Sequence, residues 1–318
     1  MTAEIVSRTR LDSDETSAVL TLLRTVTESD GVAPTSEHVL LHMRHGGDRE
    51  ALNYLVYDGP SLVGYAHLDV TDRVEGPAAE LAVRPDHRRQ GIATGLLSVL
   101  ERASEQAGHG GRMRLWAHGG LPEAGAMAKA RGYVEARVLW QMRRSLLAPL
   151  PDRAVPPGVR LRPFVVGADE PAWLAVNNRA FVSHPDQGNW TLDSIRTREK
   201  EPWFDPAGFL LAEREADGAL LGFHWTKVHG GDAGTAAGTG PHPHEPIGEV
   251  YVVGVDPDAQ GTGLGAALTV AGLCYLRSLG LSQVMLYVDE SNQPAMRTYE
   301  RLGFTRWSVD MGYRRHVD

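Results

Sequence analysis

The chain has 318 residues, long enough for two domains that each bury a core without a disulfide or metal staple. Its 40 acidic and 32 basic side chains leave a net charge of −8, which argues against a nucleic-acid partner held by phosphate neutralisation. Cys274 is the only cysteine, which excludes an intrachain disulfide and a cysteine-rich metal site; in its apolar helical run it is expected to be a small core residue. The N-terminus lacks a basic region leading into an apolar run, and no stretch reaches membrane-spanning length. The expectation is a cytoplasmic monomer with no metal, no membrane and no nucleic-acid partner.

In chain order, apolar residues at helical spacing (Val19, Leu20, Leu22, Leu23, Val26) predict a helix over Ser13 to Ser29. Ala51 to Tyr57 and Leu62 to Val70 read as strands around the turn Asp58-Gly59-Pro60. A strand ending at Glu80 to Val83, a helix over Ile92 to Ala107 and a strand at Arg114 to Ala117 follow. A helix at Glu123 to Arg131 and a strand at Tyr133 to Met142 close this half. Leu146 to Gly158 carries Pro149, Pro151, Pro156 and Pro157, and reads as a linker because proline removes backbone donors. The second half repeats the order. Strands are expected at Phe209 to Ala212, Leu220 to Val228 and Glu249 to Val255, then a helix at Leu264 to Leu279. A strand at Gln283 to Val288, a helix at Gln293 to Leu302 and a strand at Phe304 to Met311 complete it. Gly230 to Pro246, rich in Gly, Ala, Thr and Pro, reads as a surface loop; His229, His242 and His244 around it are expected to be solvated rather than metal ligands.

One strand-to-helix turn occurs twice in this layout. Val83-Arg84-Pro85-Asp86-His87-Arg88-Arg89-Gln90-Gly91-Ile92-Ala93 matches Val255-Asp256-Pro257-Asp258-Ala259-Gln260-Gly261-Thr262-Gly263-Leu264-Gly265, 172 residues apart without a gap. Such a turn aims unpaired backbone N–H groups and the positive end of a helix at an anion, so each copy reads as a diphosphate cradle. Gly91 with Ala93, and Gly263 with Gly265, allow close approach to the main chain, while Arg88 and Arg89 add charge to the first copy. The spacing is not the Gly-x-Gly-x-x-Gly of dinucleotide folds, and no ribose-binding acid follows at the expected distance.

With the run that follows the second copy (Asn292, Ala295, Tyr299, Gly303, Phe304), the turn resembles the acetyl-CoA motif of the GNAT N-acetyltransferase superfamily, Arg/Gln-x-x-Gly-x-Gly/Ala. The resemblance implies an α/β fold with mixed sheets: two tandem GNAT-fold domains, each a mostly antiparallel sheet flanked by helices. Their expected bounds are 1–145 and 159–318, with 146–158 as linker. Acetyl-CoA is the implied cosubstrate. Its contacts would fall on Leu81, Ala82, Val83, Arg89, Gln90, Gly91, Ile92, Ala93 and Thr94 in the first half. In the second they would fall on Val253, Gly254, Val255, Gln260, Gly261, Thr262, Gly263, Leu264, Gly265, Ala266 and Asn292. Asn292 also stands where it would cap the helix that carries Tyr299.

Acyl transfer to an amine requires a base for the ammonium, donors for the oxyanion and an acid for the thiolate. Glu249 is assigned as base, directly or through a water, and Tyr299 as acid, since the family's tyrosine hydroxyl lies near the CoA sulfur. The backbone N–H of Val253 or a neighbour is the expected oxyanion donor. On gapless shifts Ala128 stands opposite Tyr299 and Pro77 opposite Glu249, so the first half is expected to hold acetyl-CoA without using it.

Longer stretches are similar to one branch of the superfamily, the mycothiol synthases. They include His184-Pro185-Asp186-Gln187-Gly188-Asn189-Trp190, Trp203-Phe204-Asp205-Pro206, Gly222-Phe223-His224-Trp225-Thr226-Lys227-Val228-His229 and Gly248-Glu249-Val250-Tyr251-Val252. This resemblance implies a small-molecule amine acceptor, the cysteinyl amine of a cysteinyl-glucosaminyl-inositol, contacted by Glu37, Asp186, Lys227, Glu249 and Tyr299, in a cleft between the halves. Asp186 stands where that family carries a longer glutamate. Glu37 falls near a predicted helix start, and Trp225 reads as core. An acetyltransferase for an aminoglycoside or a protein N-terminus, and a CoA sensor without turnover, remain open alternatives at this level.

Overall fold

The protein is described by a computed structural model covering residues 4–45, 51–72, 75–108, 112–182, 184, 187–230 and 245–315. Asp186, His242 and His244 lie outside these residues. The elements run β1 (Glu4–Arg8), α1 (Ser13–Asp30), α2 (Glu37–His45), β2 (Ala51–Asp58), β3 (Ser61–Asp69), β4 (Ala78–Val83), α3 (Ile92–Gln106), β5 (Met113–Ala117), α4 (Pro122–Ala130) and β6 (Val134–Ser145). They continue with β7 (Val159–Pro163), α5 (Glu170–Ala180), α6 (Leu192–Glu199), β8 (Phe209–Arg214), β9 (Leu220–His229), β10 (Ile247–Val255), α7 (Leu264–Ser278), β11 (Gln283–Asp289), α8 (Gln293–Arg301) and β12 (Thr305–Arg315).

Two compact units result, and neither is a continuous stretch of chain. The first takes residues up to Trp140, Asp289–Ser291 and those from Ser308 on; the second takes Gln141–Val288 and Asn292–Trp307. The last strand of the chain therefore completes the first unit's sheet, pairing β12 with β5 from Met311↔Ala117 to Arg315↔Met113. The proline-rich segment begins inside the second unit: Leu146 is buried and donates its N–H to the Ser282 carbonyl at 2.8 Å.

In the first unit the strand order is β1-β2-β3-β4-β5-β12, antiparallel except for the β4/β5 pair. One face packs on α3 and α4 through Val56, Ala66, Leu68, Leu96, Leu97, Leu100 and Ala128. The other packs on α1 and α2 through Val19, Leu22, Val26, Val39, Leu55 and Tyr65. The α1 helix starts in an Asp12/Glu15 capping box and ends at Gly31 in the left-handed conformation, so both ends are satisfied locally.

The second unit carries β11-β10-β9-β8-β7, with β10/β11 parallel and the rest antiparallel. Helix α7 covers one face with Leu264, Leu268, Leu273 and Leu276. Because these residues turn inward, Cys274 is carried to the outside and is exposed, which corrects the expectation of a core cysteine. The other face holds an aromatic cluster of Trp173, Phe209, Phe223 and Trp225 under α5 and α6. Trp225 is fully buried, so it is core.

Candidate active site

The two turns share their cap geometry and one side-chain contact. Gly91 and Gly263 are the N-caps of α3 and α7, with φ of 84° and 85°, and neither has a capping side chain. The first N–H groups of each helix are therefore left without a side-chain partner, as an anion site requires. A Cβ placed on Gly91, Gly261 or Gly263 would meet nothing within 4 Å, so the space over the main chain is open. Arg89 and Gly261, at matching positions, both have positive φ, 63° and 78°; Arg89 is the one non-glycine among the described residues held there. Arg88 and Gln260 also match, and each side chain reaches back to the carbonyl of the preceding strand, Arg88 Nε to Val83 O at 3.2 Å and Gln260 Nε2 to Val255 O at 3.3 Å. Arg88 is not free charge for a phosphate, however: its guanidinium forms a two-pronged pair with Asp30 at 2.9 and 2.8 Å. The positive charge that sequence reasoning placed at Arg88 is neutralised, and the arginine instead braces the turn.

Ahead of each turn the parallel strands part. The β4/β5 ladder is limited to Ala78↔Arg114 and Ala79↔Leu115, and the β10/β11 ladder to Gly248, Glu249 and Val250. From Tyr251 on, β10 has no ladder partner on that side. It also carries a bulge: Val250 pairs with Thr226 and Val252 with Trp225, leaving Tyr251 as the extra residue. A bulge re-aims side chains locally, and here Tyr251 and Val252 both pack on the aromatic cluster. The first unit has no such bulge, since β3/β4 runs in unbroken register from Gly64↔Val83 to Asp69↔Ala78. The extra residue means that Ala78, not Pro77, is the counterpart of Glu249.

Glu249 projects from β10 directly opposite Lys227 of β9, with His229 on the diagonal through the Ile247↔His229 pair. Glu249 and Lys227 are both buried. His229 Nε2 lies 2.6 Å from Glu249 Oε2, so this histidine is a partner of the carboxylate and not the solvated loop residue expected from the sequence. The Lys227 ammonium stands over the rings of Trp203 and Tyr251, 4.6 and 5.2 Å from their centroids, which partly replaces lost hydration. Arg198 of α6 lies 3.9 Å over Trp190 and donates from Nε to the Tyr251 hydroxyl at 2.7 Å, holding the bulge residue. Sequence reasoning missed Arg198, Trp203 and Tyr251 as neighbours of the site; a strand bulge leaves no period-two mark to find them by.

Tyr299 sits on α8, its ring edge-on to Phe304 at 5.8 Å. Burial pushes its hydroxyl up to about 12, so it is protonated through the neutral range. Asn292 caps α8, accepting from Ala295 N at 3.2 Å. Glu37 is the first residue of α2, in the first unit. Lys227 and Glu249 are thus brought together by one ladder, with Tyr299 in the same unit.

The family model described as the acetyltransferase (GNAT) family matches residues 19–133 and 173–304, one stretch per half. The mycothiol acetyltransferase of Streptosporangium roseum is 52% identical over 99% of this chain and 100% of its own. That of Acidothermus cellulolyticus is 55% identical over 93% of this chain and 90% of its own. The chain belongs to the GNAT acetyltransferase family. It is an acetyl-CoA-dependent N-acetyltransferase with a small-molecule amine substrate. Among solved structures, a tandem GNAT protein from the clavulanic acid biosynthesis pathway covers 99% of this chain and 100% of its own at a TM-score of 0.73 and 20% identity, a likeness of fold. A GCN5-related N-acetyltransferase from Sphaerobacter thermophilus covers 98% and 95% at a TM-score of 0.68 and 26% identity.

Within this GNAT protein the first unit has filled the equivalent strand region with a different polar cluster. Buried Glu80 accepts from Ser36 N at 2.6 Å, Ser36 Oγ at 2.7 Å and His118 Nε2 at 3.4 Å. His118 Nδ1 donates to Asp310 Oδ2 at 2.9 Å, and Gly119 N to Asp310 Oδ1 at 2.9 Å. Burial alone would lower the His118 pKa, but the bonds to Asp310 and Glu80 outweigh it and hold the imidazole at about 10. The cluster is one imidazolium hydrogen-bonded on both sides, to Glu80 and to Asp310, with Ser36 and Gly119 donating to the remaining carboxyl oxygens. It ties the chain's last strand into the first unit. Among the described residues no group of histidine, cysteine or carboxylate side chains is placed to hold a metal, and no helix is long and apolar enough to cross a membrane.

Proposed function

We propose that the second unit transfers the acetyl group of acetyl-CoA to the cysteinyl amine of 1D-myo-inositol 2-(L-cysteinylamino)-2-deoxy-α-D-glucopyranoside, giving mycothiol. The observation that carries this is the likeness along almost the whole chain, at 52% identity, to a mycothiol acetyltransferase. Glu249, directly or through a water, takes a proton from the acceptor ammonium. The freed amine attacks the thioester carbonyl, whose oxygen is met by the N–H of Val253 or a neighbour on the unpaired edge of β10. As the tetrahedral intermediate collapses, Tyr299 gives its proton to the CoA sulfur, and the second proton lost by the acceptor nitrogen as the amide forms restores the Tyr299 hydroxyl. Glu37, Asp186, Lys227, Glu249 and Tyr299 are the acceptor contacts in this reading. Lys227 opposite Glu249 argues against a polycationic acceptor such as an aminoglycoside, because a fixed ammonium repels a second one.

The residues of both turns, with Asn292, are the acetyl-CoA contacts in this reading. The first unit binds a second acetyl-CoA without turning it over. Supporting this, it keeps the turn but has Ala78 for Glu249, Ala128 for Tyr299 and no bulge. The enzyme acts in the cytoplasm as a monomer. The test is release of free CoA by the purified protein, with the cysteinyl amine and its des-cysteinyl counterpart as separate acceptors. Turnover with the first alone is expected; turnover with neither, while acetyl-CoA still binds, rules out the proposed acceptor.

A further inference from the structure

A base that takes a proton in each turnover has to lose it before the next, and the surroundings of Glu249 restrict how. Its side chain is 8% exposed, and one carboxylate oxygen ends on His229 Nε2 at 2.6 Å. The imidazole is 35% exposed, so it joins a buried carboxylate to solvent. The other charged group on this face of the ladder, Lys227, cannot do the same: an ammonium has no lone pair with which to accept, and its donors face Trp203 and Tyr251. Imidazole accepts at one nitrogen and donates at the other, which suits it to pass a proton on. The pairing follows from the strands, because His229 lies two residues beyond Lys227 on β9 and so falls diagonal to Glu249.

We propose that His229 is the proton outlet of Glu249. This rests on Glu249 being the base. The ammonium N–H bond breaks as the Glu249 O–H bond forms. That O–H bond then breaks as the proton passes to Nε2 of a neutral His229 ring whose own proton is on Nδ1. The imidazolium gives the Nδ1 proton to water, and solvent exchange of the remaining proton from Nε2 back to Nδ1 restores the starting ring. No proton is gained or lost over the cycle apart from the one released to solvent. His229 acts through Glu249 and is a positioning and relay residue.

Three variants of the full-length enzyme test this, each with acetyl-CoA and the cysteinyl acceptor. His229→Gln keeps an amide donor for Glu249 but removes the ring that passes the proton on, and His229→Ala leaves room for added imidazole. Both are expected to lose on the order of ten-fold in kcat, with KM for either substrate little changed; a base itself contributes roughly a hundred-fold or more. Imidazole in the buffer is expected to restore kcat to His229→Ala and not to Glu249→Gln. A His229→Gln enzyme at wild-type kcat, or a folded His229→Ala enzyme that imidazole does not rescue, overturns the outlet. If His229→Ala does not fold, the glutamine variant alone decides. Activity retained in Glu249→Gln overturns the base, and the outlet with it; an inactive Glu249→Gln beside unaffected His229 variants overturns the outlet alone.

Discussion

Ala128 and Tyr299 occupy the same place in the two units. The Ala128 carbonyl accepts the Tyr133 amide at 3.0 Å, and the Tyr299 carbonyl accepts the Phe304 amide at 3.0 Å. The repeat has kept the backbone contact and changed the side chain, so the hydroxyl at Tyr299 is not needed to hold this turn together.

Tyr299→Phe is therefore expected to leave stability nearly unchanged. With burial holding the hydroxyl at about 12, the wild-type group is a proton donor across the neutral range. Its loss should lower kcat roughly a hundred- to ten-thousand-fold, with acetyl-CoA binding retained. Steady-state kinetics beside calorimetric titration of acetyl-CoA separate the two effects. Wild-type turnover in the variant would remove Tyr299 as the acid.

The second prediction concerns the interior of the second unit. His224 is fully buried, donates from Nδ1 to the Leu268 carbonyl at 2.8 Å, and lies so close to α7 that any Cβ on Gly272 would overlap its ring. In the first unit the matching positions are Ala66 and Leu100, both in the core, so bulk sits on the helix there and on the strand here. Gly272→Ala should cost about 1–3 kcal/mol through overpacking. Combining His224→Ala with Gly272→Leu should be less harmful than the two changes added separately. Urea denaturation of the four proteins measures that coupling.

Stability should also depend on pH on both sides of neutrality. His118 has its pKa raised from 6.5 to about 10, so its contribution is fully present below about 6.5 and fades as pH climbs towards 10. His67, buried and close to His42 and His38, has its pKa lowered to about 4; it stays neutral, and its contribution is present above 6.5 and fades as pH falls towards 4. Thermal unfolding should show a maximum between these limbs. His118→Asn should flatten the alkaline limb, and an unchanged limb would remove the imidazolium from the account.

Much of this fold was legible in the sequence because the signals are local. Helix α1 announces itself by apolar spacing, and the strands flanking the two turns by their apolar runs, so their bounds differ from those expected by only a few residues. The short strands β1 and β7 were not, since each is only five residues long and pairs along one edge only. Helix α5 was missed because Trp173 and Asn177 face the core in place of an aliphatic stripe. The exchange of the last strand could not be read at all: nothing local in Ser308 to Arg315 says which sheet it will join. At the site, Glu249 and Lys227 were visible as residues, but their facing positions depend on a register that a one-residue bulge shifts. His229 was discounted because it borders a glycine-rich loop, although it still lies on β9.

The most direct measurement is the rate of CoA release by Glu249→Gln with the cysteinyl acceptor at saturation, taken alongside acetyl-CoA binding. The account predicts a fall of roughly a hundred- to ten-thousand-fold with binding intact, because the amide keeps the shape of the buried carboxylate and cannot take a proton. A rate near that of the wild type would contradict it and move the base away from this strand.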